Sequence, residues 1–197
     1  MIFKLKNLAE IRTGIVVARK KANAESENKI EYPLINLKCI SENGKINLEA
    51  TEKFEASELI APEFLTKKGD ILVRLSMPYT ATIITEEKEQ GYVIPSHFAI
   101  IRVDKTLAVP EYILWLLRSS RIQQQIRMNQ SGSSGFGTIS SGFFNNINVQ
   151  LPAMEQQQLI GNLLALSEKE QSLLHRLALE KQKYTNAVLE KINNAEG

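Results

Sequence analysis

At 197 residues the chain is long enough for one well-buried core plus an appendage. Its 43% apolar, 23% charged and 7% aromatic content excludes a fibrous or disordered chain. With a single cysteine, Cys39, there is no intrachain disulfide, and no apolar run is long enough to cross a membrane.

The N-terminus lacks an apolar signal core and a cleavage site, so the expected compartment is the cytoplasm. Net charge is +2 but unevenly spread: +5 over 1–21, −5 over 22–90, +3 over 91–153 and −1 over 154–197. Basic clusters in a near-neutral protein fit a surface that meets a polyanion, or simply solvated faces.

Phe3 to Leu8 alternates as a strand or lead-in, and Ile11 to Val17 runs into Arg19-Lys20-Lys21. The polar tract 22–29 reads as an exposed loop. Tyr32 to Ile40 predicts a strand, and Asn43-Gly44 before Ile46-Asn47-Leu48 predicts a hairpin turn with a return strand. Glu58 to Phe64, with Pro62, reads as loop or short helix. After the Lys68-Gly69-Asp70 turn, Ile71 to Leu75 and Ala81 to Thr85 read as strands. Tyr92 to Ile94 with Phe98 to Val103 gives another pair. Many short strands punctuated by Gly, Pro and Asn predict a mostly antiparallel sheet.

Val109-Pro110-Glu111 opens a helix, buried through Leu117 and polar through Arg127. No charged residue lies between Met128 and Met154, and Ser131 to Thr138 is a hydroxyl- and glycine-rich loop. Ile147 to Leu151 reads as a strand leading into the last helix. That helix, 152–194, opens with Pro152 and Glu155 and is rich in strong helix formers. Its apolar stripe runs through Leu159, Leu163, Leu166, Leu173, Leu177, Tyr184, Val188 and Ile192. At 1.5 Å per residue such a helix spans roughly 60 Å, too long to bury its stripe on one small domain. A partner helix is expected, in a short or imperfect coiled coil, because Ser167, Glu170 and Lys181 interrupt the seam. Gly161 reads as a helix-weakening residue at a cost of about 1 kcal/mol.

No catalytic constellation is present, and no cofactor is expected. His97 and His175 have no His or Cys neighbours that would make a metal site, and no phosphate-binding or dinucleotide-binding glycine motif occurs. Ser76-Met77-Pro78-Tyr79 faintly resembles the Pro-Pro-aromatic motif of amino-methyltransferases but lacks its first proline, and reads as a turn. Cys39 is expected to be a small core residue.

The binding signals suit a nucleic acid, and each taken alone fits an ordinary surface loop or surface arginine equally well. Ser131, Ser133, Ser134 and Thr138 offer hydroxyls and backbone N–H groups of the kind that hold phosphates. Arg12, Arg19, Lys20 and Lys21 can neutralise phosphates. Arg74, at a strand end with Ser76, Tyr79 and Thr80, is the foremost candidate for base contact, since arginine reads guanine bidentately. Ser96 and His97 are candidates for the same surface.

The order of short motifs resembles one half of the DNA-specificity (S) subunit of type I restriction–modification systems. The carrying stretches are Leu8-Ala9-Glu10-Ile11-Arg12-Thr13-Gly14, Lys68-Gly69-Asp70-Ile71-Leu72-Val73-Arg74 and Val109-Pro110-Glu111-Tyr112-Ile113-Leu114. Beyond them come Gly137-Thr138-Ile139-Ser140, Asn146-Ile147, Leu151-Pro152, Glu155-Gln156-Gln157 and Ile160. The resemblance implies an α+β target-recognition domain, 1–151, and a spacer helix, 152–197. It implies a non-enzymatic chain that works with double-stranded DNA and with methyltransferase (modification) and restriction subunits. Full-length S subunits carry two such units with their helices packed antiparallel, and this sequence has one. The expected consequence is a homodimer through Leu159, Leu163, Leu166, Leu173, Leu177, Tyr184 and Val188, reading a bipartite site. A protein–protein scaffold, or the recognition domain of a larger methyltransferase, is the alternative.

Overall fold

The computed structural model describes residues 1–23, 29–131 and 137–194. Among these the strands are β1 (Ile2–Lys4), β2 (Ala9–Thr13), β3 (Ile30–Leu34), β4 (Glu52–Ala56), β5 (Asp70–Arg74), β6 (Ala81–Ile83), β7 (Phe98–Val103) and β8 (Asn148–Gln150). The α-helices are α1 (Pro110–Arg118), α2 (Ser120–Met128), α3 (Ser141–Asn145) and α4 (Met154–Asn194).

Strands β5 and β7 are apolar on both sides, so they need cover on both faces. They form the middle of a four-stranded antiparallel sheet in the order β2-β7-β5-β6. Because side chains alternate, Ile71, Val73, Ala99 and Ile101 face one way, against Ile113, Leu117, Ile122, Ile126 and Phe144 of the helices. Leu72, Phe98 and Ile100 face the other way, against Ile35, Cys39, Ile40, Ile84 and Ile94. Each large side chain so buried contributes about 1.5–3 kcal/mol. A third cluster sits under the β3–β4 pair, and β1 pairs with β8, bringing the chain's start beside the start of α4.

The Lys68-Gly69-Asp70 turn works through two different effects. Gly69 has φ +94°, where a side chain is strained. Asp70, 1% exposed, accepts two hydrogen bonds of 2.7 Å from the guanidinium of its cross-strand partner Arg102, and one of 2.9 Å from Lys67 N. That bidentate carboxylate holds the Arg102 pKa above its ordinary value.

Four local expectations are corrected. The strand at Tyr32 starts earlier and stops at Leu34, because the Asn36 side chain accepts from Lys38 N and Cys39 N and turns Leu37–Cys39 into a 3-10 helix. The Asn43-Gly44 turn therefore closes only an Ile40–Ile46 bridge, and β3 pairs instead with β4, a strand hidden among charges at Glu52, Lys53 and Glu55. Tyr92 to Ile94 is not a strand of the main sheet; Val93 bridges Leu34 and Leu65. The helix from Pro110 breaks at Ser119, whose hydroxyl accepts from Ile122 N and starts α2. Most of the tract 22–29 lies outside the described residues, although Ala22 is buried and its N–H donates to Glu55 O.

Helix α4 runs unbroken for 41 residues, roughly 60 Å. Its first turns pack on α1 through Gln157, Ile160, Gly161 and Leu164, a different face from the leucine stripe. Gly161 is the reason the axes approach closely: a Cβ there would lie 2.8 Å from Glu111 Cβ. Gln157, 1% exposed, accepts from Val109 N at 3.0 Å and donates to Pro152 O at 3.0 Å. Two turns on, Glu168 pairs with Arg118, which also donates to Ala81 O. None of the described helices is long and apolar enough to cross a membrane.

Helix propensity alone predicts that Gly161→Ala stabilises the protein by about 1 kcal/mol. Overpacking costs about 1–3 kcal/mol, so the contact with Glu111 should cancel that gain. Thermal unfolding followed by circular dichroism should show no rise in Tm for Gly161→Ala and a clear fall for Gly161→Leu. Cys39 is fully buried, and burial raises its thiol pKa. The native protein should show no rapid reaction with a thiol reagent at pH 8, and full reaction in denaturant.

Candidate nucleic-acid interface

Antiparallel pairing places the C-terminal ends of β2 and β5 beside the N-terminal end of β7: Arg74 lies opposite Phe98, and Thr13 opposite Ala99. The loops leaving this edge are tied to one another. Leu75 N donates to His97 O at 2.9 Å, and Ile139 N donates to Leu75 O at 2.8 Å. Ser76 forms an antiparallel bridge with Thr138, and Ser131 and Thr138 exchange backbone hydrogen bonds of 2.9 and 3.1 Å. Thr13 and Ser141 hydroxyls meet at 2.6 Å, joining α3 to the same rim.

The edge thus brings together Arg74, Ser76, Tyr79, Thr80, His97, Ser131 and Thr138, with Ser96 alongside through its N–H bond to Ile15 O. Ser133 and Ser134 lie outside the described residues. His97, Ser131 and Thr138 are exposed, and Ser76 and Ser96 are half-buried.

Tyr79 and Thr80 are buried, which corrects the expectation that they present surface. Tyr79 takes φ 53° at the end of a tight turn closed by its N–H donating to Ser76 O. Its hydroxyl sits 2.5 Å from Gly137 O and 2.7 Å from Gln130 Oε1 and donates to one of them, and burial raises its pKa. Thr80 O accepts from Arg74 N at 2.9 Å. Both residues shape the rim.

Arg74 is half-buried, and one guanidinium nitrogen, Nη2, donates to Met77 O at 3.2 Å. Its Nε is buried with no hydrogen-bond partner among the described residues. Burial lowers its pKa from the ordinary guanidinium value, with the charge of Glu42 opposing. Among the described residues no carboxylate forms an ion pair with it, so its positive charge is only weakly answered within the chain.

The basic cluster near the start is placed differently. Arg12 leaves β2 on the same face of the sheet as Arg74, but it is held by ion pairs to Glu10 and Glu63 and lies over the Phe64 ring at 5.9 Å. Lys20 pairs with Glu58, and Lys21 bridges Ala56, so Arg19, Lys20 and Lys21 lie along β4. They are not at the strand-end rim. Gln130, Met77, Thr13 and Ser141 belong to that rim and carry no sequence signal, since their roles arise from long-range pairing.

A model of the type I restriction modification DNA specificity domain matches residues 1–184. The chain belongs to the type I restriction modification DNA specificity domain family. Solved structures share its fold. The HsdS subunit from Thermoanaerobacter tengcongensis superposes with TM-score 0.67 at 18% identity, over 95% of this chain and 46% of that one. A chain from work on complex assembly and conformational transition of the type I R-M system gives 0.66 at 19% identity, over 94% and 46%. The S subunit from M. genitalium gives 0.56 at 13% identity, over 86% and 39%. This specificity-domain chain spans about half the length of those solved chains.

Removing the Tyr79 hydroxyl should loosen the rim without unfolding the sheet. Tyr79→Phe is expected to cost about 1 kcal/mol. It should also speed hydrogen exchange at the Ser131 and Thr138 amides, with exchange in β5 and β7 unchanged.

Proposed function

We propose that this chain is the DNA-recognition unit of a type I restriction–modification complex and has no catalytic role of its own. Family membership over residues 1–184 supports the class. The observation that carries the site is the strand-end rim, where one weakly answered arginine stands among exposed hydroxyls and His97 on a rigid sheet. Hydroxyls and backbone N–H groups engage phosphates, and Arg74 and its neighbours face the bases. Arg12 on β2, and Arg19, Lys20 and Lys21 beside the end of β4, serve as secondary phosphate-facing cations. Ion pairs as exposed as Lys20–Glu58 contribute little, so such cations can exchange partners.

Helix α4 is the spacer. Leu159, Leu163, Leu166, Leu173, Leu177 and Tyr184 are each more than half exposed in the single chain, an apolar stripe, broken at Ser167, Glu170 and Lys181, that water disfavours. A second copy covers it, with Val188 completing the seam, and the two recognition units then read the two halves of a symmetric site. Modification and restriction subunits dock on the paired helices, and the assembly works in the cytoplasm.

Two experiments test this. In fluorescence titrations with duplex DNA, affinity should fall steeply with salt, in proportion to the phosphates engaged. Arg74→Ala should lower preference for the specific duplex by roughly 5- to 160-fold, the span of about 1–3 kcal/mol for an arginine–base contact. Equal affinity of both proteins for specific and scrambled duplexes would remove Arg74 from the site. For the spacer, Leu173→Glu with Leu177→Glu should give a folded monomer by light scattering where the parent chain is a dimer. A cut after Pro152 would be uninformative, because Gln157, Ile160 and Leu164 belong to the packing on α1.

A further inference from the structure

One feature of the rim is neither charged nor hydrogen-bonding. Ser76-Met77-Pro78-Tyr79 is a tight turn, closed by the 2.9 Å bond from Tyr79 N to Ser76 O, with Met77 and Pro78 exposed at its tip. The Met77 side chain stands in solvent, 53% exposed. Its backbone is held from every side. Met77 O accepts from Arg74 Nη2, the stem Arg74 N bonds Thr80 O, and Ser76 is bridged to Thr138. Tyr79, at the far end of the turn, is locked by its hydroxyl. These bonds fix where the methionine stands on the rim.

A rigid apolar tip inside a polar rim needs an apolar complement within a polar surface. In the major groove the one such group on an unmodified base is the 5-methyl of thymine. We propose that Met77 is a specificity-determining residue that reads a thymine through its methyl group, while Arg74 acts on the same turn both as its clamp and as the neighbouring hydrogen-bond donor. The proposal rests on the DNA-recognition reading above. It also gives the methyltransferase-like Ser-Met-Pro-Tyr stretch a role that needs no catalysis. The backbone of the turn loses little conformational freedom on binding, because it is already fixed.

The test uses the full chain with its modification subunits, and duplexes carrying the motif found at methylated sites. Each thymine is replaced in turn by deoxyuridine, which removes only the 5-methyl group. The wild type should lose about fourfold in affinity at one position per half-site, equivalent to about 0.8 kcal/mol for one buried methyl group. Met77→Ala should bind the thymine duplex more weakly and be indifferent to deoxyuridine at that position, with an unchanged Tm. Met77→Leu should keep most of the discrimination. The proposal is overturned if no thymine responds in the wild type, if Met77→Ala retains the deoxyuridine penalty, or if the half-site contains no A·T pair. If the wild-type complex prefers no duplex over bulk DNA, the recognition reading itself fails, a result distinct from loss of the methyl effect alone.

Discussion

The contact between α1 and the first turns of α4 is the constraint on which everything else depends. It joins a compact head to a rod about 60 Å long, and it leaves the rod little freedom at its root. Gly161 brings the helices close, and Gln157 spends both ends of its amide on the backbone of the two segments it joins. Arg118 ties Glu168 of the rod to Ala81 of the sheet. A buried amide with both partners supplied fixes one geometry, because any slip would leave it unpaired at a cost of about 1–3 kcal/mol. For the spacer proposed above, a fixed angle at the root matters as much as length.

Stretches that resemble the specificity-subunit pattern meet at this joint and at the sheet's turns. Val109, Glu111 and Tyr112 face Gln157, Gly161 and the Gln150 carbonyl, while Gly69 and Asp70 shape the entry to β5. The reading rim, by contrast, is built from residues with no common pattern: hydroxyls, one histidine, one half-buried arginine and one exposed methionine. The division is physical. On the proposed recognition role, the frame must hold one shape, whereas the rim must differ whenever the DNA sequence to be read differs.

Much of the frame was legible in the sequence because it rests on local signals. The apolar periodicity of α4, the two-sided apolar strands β5 and β7, and the Gly69 turn follow from side-chain pattern alone. Less was legible where a side chain redirected the backbone. Asn36 capping a 3-10 turn ended a strand that propensity would continue, and Ser119 split a helix in two. Gly161 read as a weakness in isolation and is a contact in three dimensions. At the rim, sequence placed Arg74 and its hydroxyl neighbours together because they are adjacent. It could not separate Tyr79 and Thr80, which face inward, from Met77, which faces out, and it could not show that Arg12 is paired with Glu10 and Glu63.

In the role proposed above, this chain selects the DNA sequence on which a larger complex acts. The most direct measurement is genome-wide sequencing of methylated sites in cells carrying the modification subunits with and without this chain. A recognition role gives a single bipartite motif with two symmetric halves, methylated only when the chain is present. The same motif methylated in its absence would rule that role out.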